Sequence, residues 1–231
     1  MSKVFIAGTD TGIGKTYVAC QLLEYFKGQG LSCIGIKPLA SGCESPPKPH
    51  FSKEGAYNED ALLLQKAASV QLPYEIINPI ALKPPIAPHL AAEKANLRLS
   101  VAALVKACQA AFNIQADLHL IEGVGGWLVP LNDKENMGDF VMAISPKVIL
   151  VVGMKLGCLN HALLSCQSIK NSGCELIGWI ANCIDPAMLY LNENIQSLEK
   201  LLTVPLLAVL PYNGKLTVNQ TVLLETMRLR G

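Results

Sequence analysis

The sequence predicts an α/β fold: a doubly wound, mainly parallel sheet with helices on both faces. Three observations carry that expectation. Short apolar runs alternate with helical patterns along most of the 231 residues. The runs are continuously apolar, as in parallel strands covered on both faces. The first of them passes straight into a glycine-punctuated turn and a helix, KVFIAGTDTGIGKT at residues 3–16.

Strands are expected at residues 3–7, 32–37, 117–122, 147–152, 175–182 and 206–210, and helices at 15–27, 58–68, 100–112, 159–171 and 189–202. Alternation of this kind implies right-handed crossovers within one sheet, and ligands then sit at the carboxyl ends of the strands. Residues 42–57, rich in Pro, Ser and Lys, read as a surface loop or lid. Residues 72–89 hold Pro73, Pro79, Pro84, Pro85 and Pro88, and are expected to form an extended connection without regular structure.

Composition narrows the function. Residues 1–231 are expected to form a single domain, since 51% hydrophobic residues can fill one sizeable core. With 16% charged residues and a net charge of +1, no nucleic-acid footprint and no polybasic membrane patch is visible. The strongly apolar run 148–154 is too short to span a bilayer, and a strand beginning almost at the first residue leaves no signal or transit peptide. The eight cysteines form no C-x-x-C pair, and the even spacing of Cys158, Cys166 and Cys174 matches no metal-ligand pattern. Reduced thiols in a cytoplasmic protein are expected.

The turn after the first strand carries the chemistry. Gly8, Gly12 and Gly14 let the backbone approach a ligand closely, and a loop feeding a helix N-terminus aims N–H groups at a phosphate. Lys15 can reach β- and γ-phosphates, and the Thr16 hydroxyl can ligate Mg²⁺. This is a nucleotide-binding loop of the P-loop NTPase type. Its spacing departs from G-x-x-x-x-G-K-[ST], because position 9 is Thr9 and Gly8 lies one residue early. Lys37, with Ser41 four residues on, ends the second strand and faces the same crevice. Asn58-Glu59-Asp60 reads as a helix cap with acids in the first turn, and capping alone accounts for these acids. Glu122 ends the third strand beside Gly123, Val124, Gly125 and Gly126, where a carboxylate can reach an ion held by Thr16. Lys155-Leu156-Gly157-Cys158-Leu159-Asn160-His161 forms a second glycine-containing helix start able to bind a carboxylate. His161 on that helix could serve as a base, but a satisfied structural histidine is the expectation there. Amides at Asn182 and in Pro211-Tyr212-Asn213 can hydrogen-bond a purine edge. With no Ser/His/Asp or Cys/His arrangement, the expected chemistry is positioning and charge neutralisation around MgATP, with the substrate as nucleophile.

These residues resemble the dethiobiotin synthetase family of the biotin pathway over nearly the whole chain. The resemblance is carried by GTDTGIGKT at 8–16, KPLASG at 37–42, NEDA at 58–61, EGVGGWLVP at 122–130, VILVVGMKLGCLNHALL at 148–164 and GWIAN at 178–182. It implies a homodimeric, MgATP-dependent cyclo-ligase acting on 7,8-diaminononanoate and CO₂ or bicarbonate. In that family the N7 amine becomes a carbamate, the γ-phosphate passes to the carbamate, and N8 closes the cyclic urea. The resemblance places Lys37 as the active-site lysine, with Lys15 and Thr11 near carbamate and phosphates. It places Gly12, Ile13, Gly14, Lys15, Thr16 and Tyr17 against the nucleotide, with Asp60, Glu122, Gly123, Val124 and Gly125. Asn182, Cys183, Pro211, Tyr212 and Asn213 match the adenine pocket, and Thr16, Asp60 and Glu122 the metal ligands. Ser41 matches a substrate contact, and Gly157, Cys158 and Asn160 a carboxylate cradle supplied by the partner subunit to a shared active site. Two departures are visible: the loop before Asp60 is long, and Asn194 stands where some members carry a tyrosine, with Tyr190 one turn earlier.

A rival from another class is a partition-type switch ATPase working through protein partners. Those proteins carry a signature lysine where this chain has Asp10. An amidotransferase-type synthetase would need a glutaminase domain for which 231 residues leave no room.

Overall fold

A computed structural model describes residues 2–44 and 56–227; most of the loop expected at 42–57 lies outside the described residues. In chain order the elements are β1 (Ser2–Gly8), α1 (Lys15–Gly28), β2 (Cys33–Ile36), β3 (Leu39–Ala40), α2 (Glu59–Ala67), α3 (Tyr74–Ile77), β4 (Ile80–Ala81), α4 (Pro88–Lys94) and α5 (Val101–Phe112). Then follow β5 (Leu118–Glu122), α6 (Met137–Ile144), β6 (Lys147–Gly153), α7 (Cys158–Asn171), β7 (Glu175–Asn182), α8 (Leu191–Leu201), β8 (Leu206–Leu210), β9 (Thr217–Val218) and α9 (Gln220–Met227).

Seven strands form one sheet in the order β2-β5-β1-β6-β7-β8-β9, parallel except for the antiparallel edge strand β9. The period-two alternation of side chains sorts the strands' apolar residues onto two faces. Phe5, Ala7, Ile34, Ile36, Ile121, Val148, Leu150 and Val152 point into a core covered by α4, α5, α6, α7 and α8. Val4, Ile6, Leu118, Leu120, Ile149 and Val151 face the other way, under α1, α2 and α9. Burial on both sides is why these strands read as unbroken apolar runs. From β1 the chain runs to the edge strand β2, returns through β5 between the two, and then crosses to β6 on the other side of β1. The carboxyl end of β1 therefore stands at the switch point, where open sheets of this kind bind ligands.

Several stretches differ from expectation, among them β3, β9 and α9, which the sequence pattern does not indicate. Residues 72–89 are not structureless: they hold α3 and β4, and α4 begins at Pro88. Three of the five prolines stand where a missing N–H costs nothing. Pro73 is the N-cap of α3, Pro79 precedes the short strand, and Pro88 opens α4. β4 pairs in parallel with β3, and Lys37 N donates to the Ile77 carbonyl at 2.8 Å. The segment thus buttresses the residues after β2. Helix α6, also unanticipated, is started by a capping box in which Asn136 and Asp139 satisfy each other's backbone N–H groups.

Candidate active site

The turn from β1 to α1 owes its shape to two left-handed glycines, Gly12 (φ 72°) and Gly14 (φ 77°, the N-cap of α1). A Cβ on Gly14 would lie 2.3 Å from Asn182 Nδ2, which donates to the Ile13 carbonyl at 2.7 Å. Asn182, at the end of β7, therefore clasps the loop from beneath. Gly8, out of register with the usual motif, has its own reason. A Cβ there would meet the Lys15 side chain at 2.8 Å, so this glycine makes room for the lysine stem to lie across the loop. Lys15 is buried and donates to the Asp10 carbonyl at 2.8 Å.

Around the loop the carboxyl ends of β1, β2 and β5 and the first turn of α2 converge on a crevice of about 590 Å³. Lys37, one residue past β2, is buried at 3% exposure. Its Nζ donates to Glu122 Oε1 at 2.6 Å, Asp60 Oδ2 at 3.1 Å and the Gly123 carbonyl at 3.2 Å. Thr16 Oγ1 donates to the same Glu122 Oε1 at 2.7 Å. Asn78 Nδ2 fixes the Lys37 carbonyl at 2.7 Å. Capping of α2 is done by Asn58, whose Oδ1 accepts from Ala61 N, so Asp60 is free to face the crevice. Capping alone does not account for it.

Burial disfavours the Lys37 ammonium, but Glu122 and Asp60 outweigh it and hold its pKa above the usual lysine range. Lys15 goes the other way. Burial, reinforced by the charge on Lys37, pushes it down from 10.5 to about 8. Cys20 also lines the crevice, but burial first and the nearby Glu122 carboxylate next push its thiol up to about 12, which rules it out as a thiolate nucleophile at neutral pH.

Thr16, Asp60 and Glu122 fit a hard divalent cation. They offer a hydroxyl and two carboxylates, and Glu122 Oε2 is buried without a partner, an oxygen that a cation would satisfy. Among the described residues no cluster of three or more His, Cys, Asp or Glu gathers, so remaining ligands would come from phosphate and water.

The crevice unites Thr11, Gly12, Gly14, Lys15, Thr16, Tyr17, Lys37, Ser41, Asp60, Glu122, Val124 and Gly125. Ile13 and Gly123 contribute backbone carbonyls to its frame. Asn182 and Cys183 are buried and do not line it; Asn182 meets the loop through the Ile13 carbonyl. The loop Pro211–Asn213 approaches through Tyr17, whose hydroxyl donates to the Gly214 carbonyl at 3.0 Å. Gly157, Cys158 and Asn160 do not line the crevice of their own chain; Lys155 in the same turn lies 3.3 Å from Asp10 Oδ2 in the phosphate loop. His161 is exposed on α7, away from the crevice. Sequence reasoning missed Gln21, Glu24, Leu63 and Lys66, which extend the crevice between α1 and α2. Spacing of three and four from Tyr17 along the helix would have found Cys20, Gln21 and Glu24.

A glycine-built loop at a helix start, a buried lysine under it and a hydroxyl paired to a strand-end carboxylate define a nucleotide-binding site of the P-loop class. The family model described as an AAA domain matches residues 2–220. The ATP-dependent dethiobiotin synthetase BioD of Pseudomonas aeruginosa (strain LESB58) is 46% identical over 211 residues, covering 91% of this chain and 90% of that one. The chain belongs to the ATP-dependent dethiobiotin synthetase family. Solved structures extend the likeness in fold alone. The signal recognition particle receptor FtsY of Elizabethkingia anophelis has a TM-score of 0.51 at 15% identity; all of this chain aligns, spanning 64% of that one. The septum site-determining protein MinD of Pyrococcus horikoshii OT3 has a TM-score of 0.53 at 17% identity, covering 91% of this chain and 81% of that one.

With Lys15 held down to about 8 by burial, a phosphate placed beside its amine would make nucleotide binding proton-linked. A phosphate beside the amine restores its charge, so at pH 8 ADP binding should take up a sizeable fraction of a proton, and affinity should fall as pH rises above 8. In the nucleotide-free fold the cost of the charged amine is present below pH 8 and is relieved between about 8 and 10.5, so this group makes stability rise with pH across that window. Calorimetry in two buffers of different ionisation enthalpy measures the uptake. Identical heats in both would remove Lys15 as the titrating contact.

Proposed function

We propose that this chain converts 7,8-diaminononanoate, CO₂ and ATP into dethiobiotin, ADP and phosphate, with Mg²⁺ held by Thr16, Asp60 and Glu122. One observation carries the assignment of roles: the buried Lys37 ammonium, bonded to both carboxylates at the mouth of the phosphate loop. The cation, when bound, would neutralise phosphate charge. The substrate supplies the nucleophiles. Its N7 amine adds to CO₂ and loses a proton, leaving a carbamate. A carbamate oxygen attacks the γ-phosphorus as the bond to ADP breaks. N8 then attacks the carbonyl carbon, the C–O bond to phosphate breaks, and N8 loses a proton as the urea ring closes. Lys15 and Lys37 neutralise the charge spread over phosphoryl and carbamate oxygens, in a crevice that costs no reorganisation at the moment of transfer. The backbone N–H groups of Gly12–Thr16 cradle the phosphates, Thr11 and Ser41 face the carbamate side, and Asn182 with Pro211–Asn213 frames the adenine.

Turnover should require both the diamine and bicarbonate, and labelled carbonate should enter a cyclic urea. In the same assay Lys37→Ala should lose about 10²–10³ in turnover, roughly 3–4 kcal/mol, while ATP affinity changes far less. ADP formation indifferent to the diamine would sink the assignment, and near-normal turnover in the variant would remove Lys37 from the mechanism.

The active site is shared by two subunits in this reading, in the cytoplasm. The helix start Gly157–Asn160, which lies outside its own chain's crevice, serves the partner's substrate carboxylate. Apolar surface beside it supports a second copy there: Leu156 is 97% exposed, Leu164 62%, Leu189 79% and Tyr190 74%. Helix α7 divides its faces accordingly, with Ala162, Cys166 and Ile169 in the core and Leu163 and Leu164 outward. Its cysteine-bearing side is core, and the leucine side is interface. Mixing an inactive Lys37→Ala chain with an inactive, folded Asn160→Leu chain should restore part of the activity, because a mixed dimer holds one site with both halves intact. No recovery at any mixing ratio would mean that each chain builds its own site.

A further inference from the structure

Lys37 has no spare donor. An ammonium carries three N–H groups and no acceptor. Glu122 Oε1, Asp60 Oδ2 and the Gly123 carbonyl lie 2.6, 3.1 and 3.2 Å from Nζ, one for each. To donate to a phosphoryl or carbamate oxygen, Lys37 must release at least one of them. Its backbone cannot swing to do so. Lys37 N is bonded to the Ile77 carbonyl and its own carbonyl to Asn78 Nδ2, so the change falls on the flexible four-carbon side chain.

Two of the three partners it can release are the carboxylates that suit a divalent cation. Asp60, Glu122 and Glu24 bring three negative charges to the crevice, and Lys15, Lys37 and Lys66 bring three positive ones. These cancel, so the protein alone exerts little pull on a free divalent cation. Phosphates add the negative charge that tips the balance.

We propose that Lys37 and the divalent cation compete for Asp60 and Glu122, so that the crevice accepts the cation only as its nucleotide complex, and the cation's arrival frees Lys37 to donate to substrate oxygens. The proposal rests on the assignment of Thr16, Asp60 and Glu122 as metal ligands made above. It makes Lys37 selective for a metal–nucleotide over a bare metal, a role separate from its contact with the reacting oxygens.

The test is Mn²⁺ binding to the nucleotide-free protein, followed by the electron paramagnetic resonance signal of the free ion. Wild type, Lys37→Gln and Lys15→Gln are titrated side by side. Both substitutions remove one positive charge from the crevice, but only Lys37→Gln frees the carboxylate oxygens. Wild type should bind weakly, Lys37→Gln at least about tenfold more tightly, and Lys15→Gln should gain clearly less. Lys37→Met replaces the glutamine variant if that one does not fold. Equal gains in the two variants, or no gain in either, would mean that the cation uses Glu122 Oε2 with Lys37 still in place, and the competition is wrong. Glu122→Gln titrated with Mn²⁺ and ADP together separates the two layers. Weakened binding leaves the ligand assignment standing, whereas unchanged binding overturns that assignment and the competition with it.

Discussion

One buried ammonium ties together three parts of the chain that are remote in sequence. Lys37 follows β2, Asp60 opens α2 and Glu122 closes β5, and the contact is almost wholly screened from water on the Glu122 side, with side-chain exposures of 4% and 1%. Breaking a buried pair by removing one partner costs about 3–5 kcal/mol, because the charge left behind keeps no compensation. The same arrangement is poor value as a fold stabiliser, since a well-packed apolar trio of similar volume serves stability as well or better. Its retention at the carboxyl ends of the strands, under a phosphate loop, is accounted for by chemistry.

The sheet makes that convergence possible. Parallel pairing of β2, β5 and β1 brings three strand ends to one edge, and the reversal of winding at β1 opens the crevice there. The loop is then held rigidly from several sides: Asn182 beneath Gly14 and Ile13, Gly8 beside the Lys15 stem, and Thr16 against Glu122. Catalysis by positioning and charge neutralisation depends on such preorganisation, because the donors must stand ready before charge moves.

Much of this was legible in the sequence, and for physical reasons. Strands buried on both faces write themselves as continuous apolar runs, so β1, β5, β6, β7 and β8 were readable at close to their true bounds. Glycines at positive φ and a Lys-Thr pair at a helix start have few other uses, so the loop was readable too. The short elements were not. α3 and β4 sit among prolines whose tolerance depends on which N–H groups the tertiary fold needs, and a residue count cannot reveal that. α6 was signalled by Asn136 and Asp139 three residues apart, a cap that was overlooked. Asp60 carried two explanations in the sequence, and its contact with Lys37 across 23 residues could be seen only in the fold. That Gly157, Cys158 and Asn160 stay out of their own chain's crevice was beyond local reasoning, because it depends on how β6 and α7 sit against the phosphate loop.

The central claim is that a carbamate oxygen, held near Lys37, becomes the oxygen that carries phosphate away. Single-turnover reaction of the diamine and MgATP with CO₂ labelled with ¹⁸O in both oxygens, quenched faster than exchange with water, tests this directly. One label should appear in inorganic phosphate and the other in the urea carbonyl. Dethiobiotin formed with unlabelled phosphate would contradict transfer through a phosphorylated carbamate.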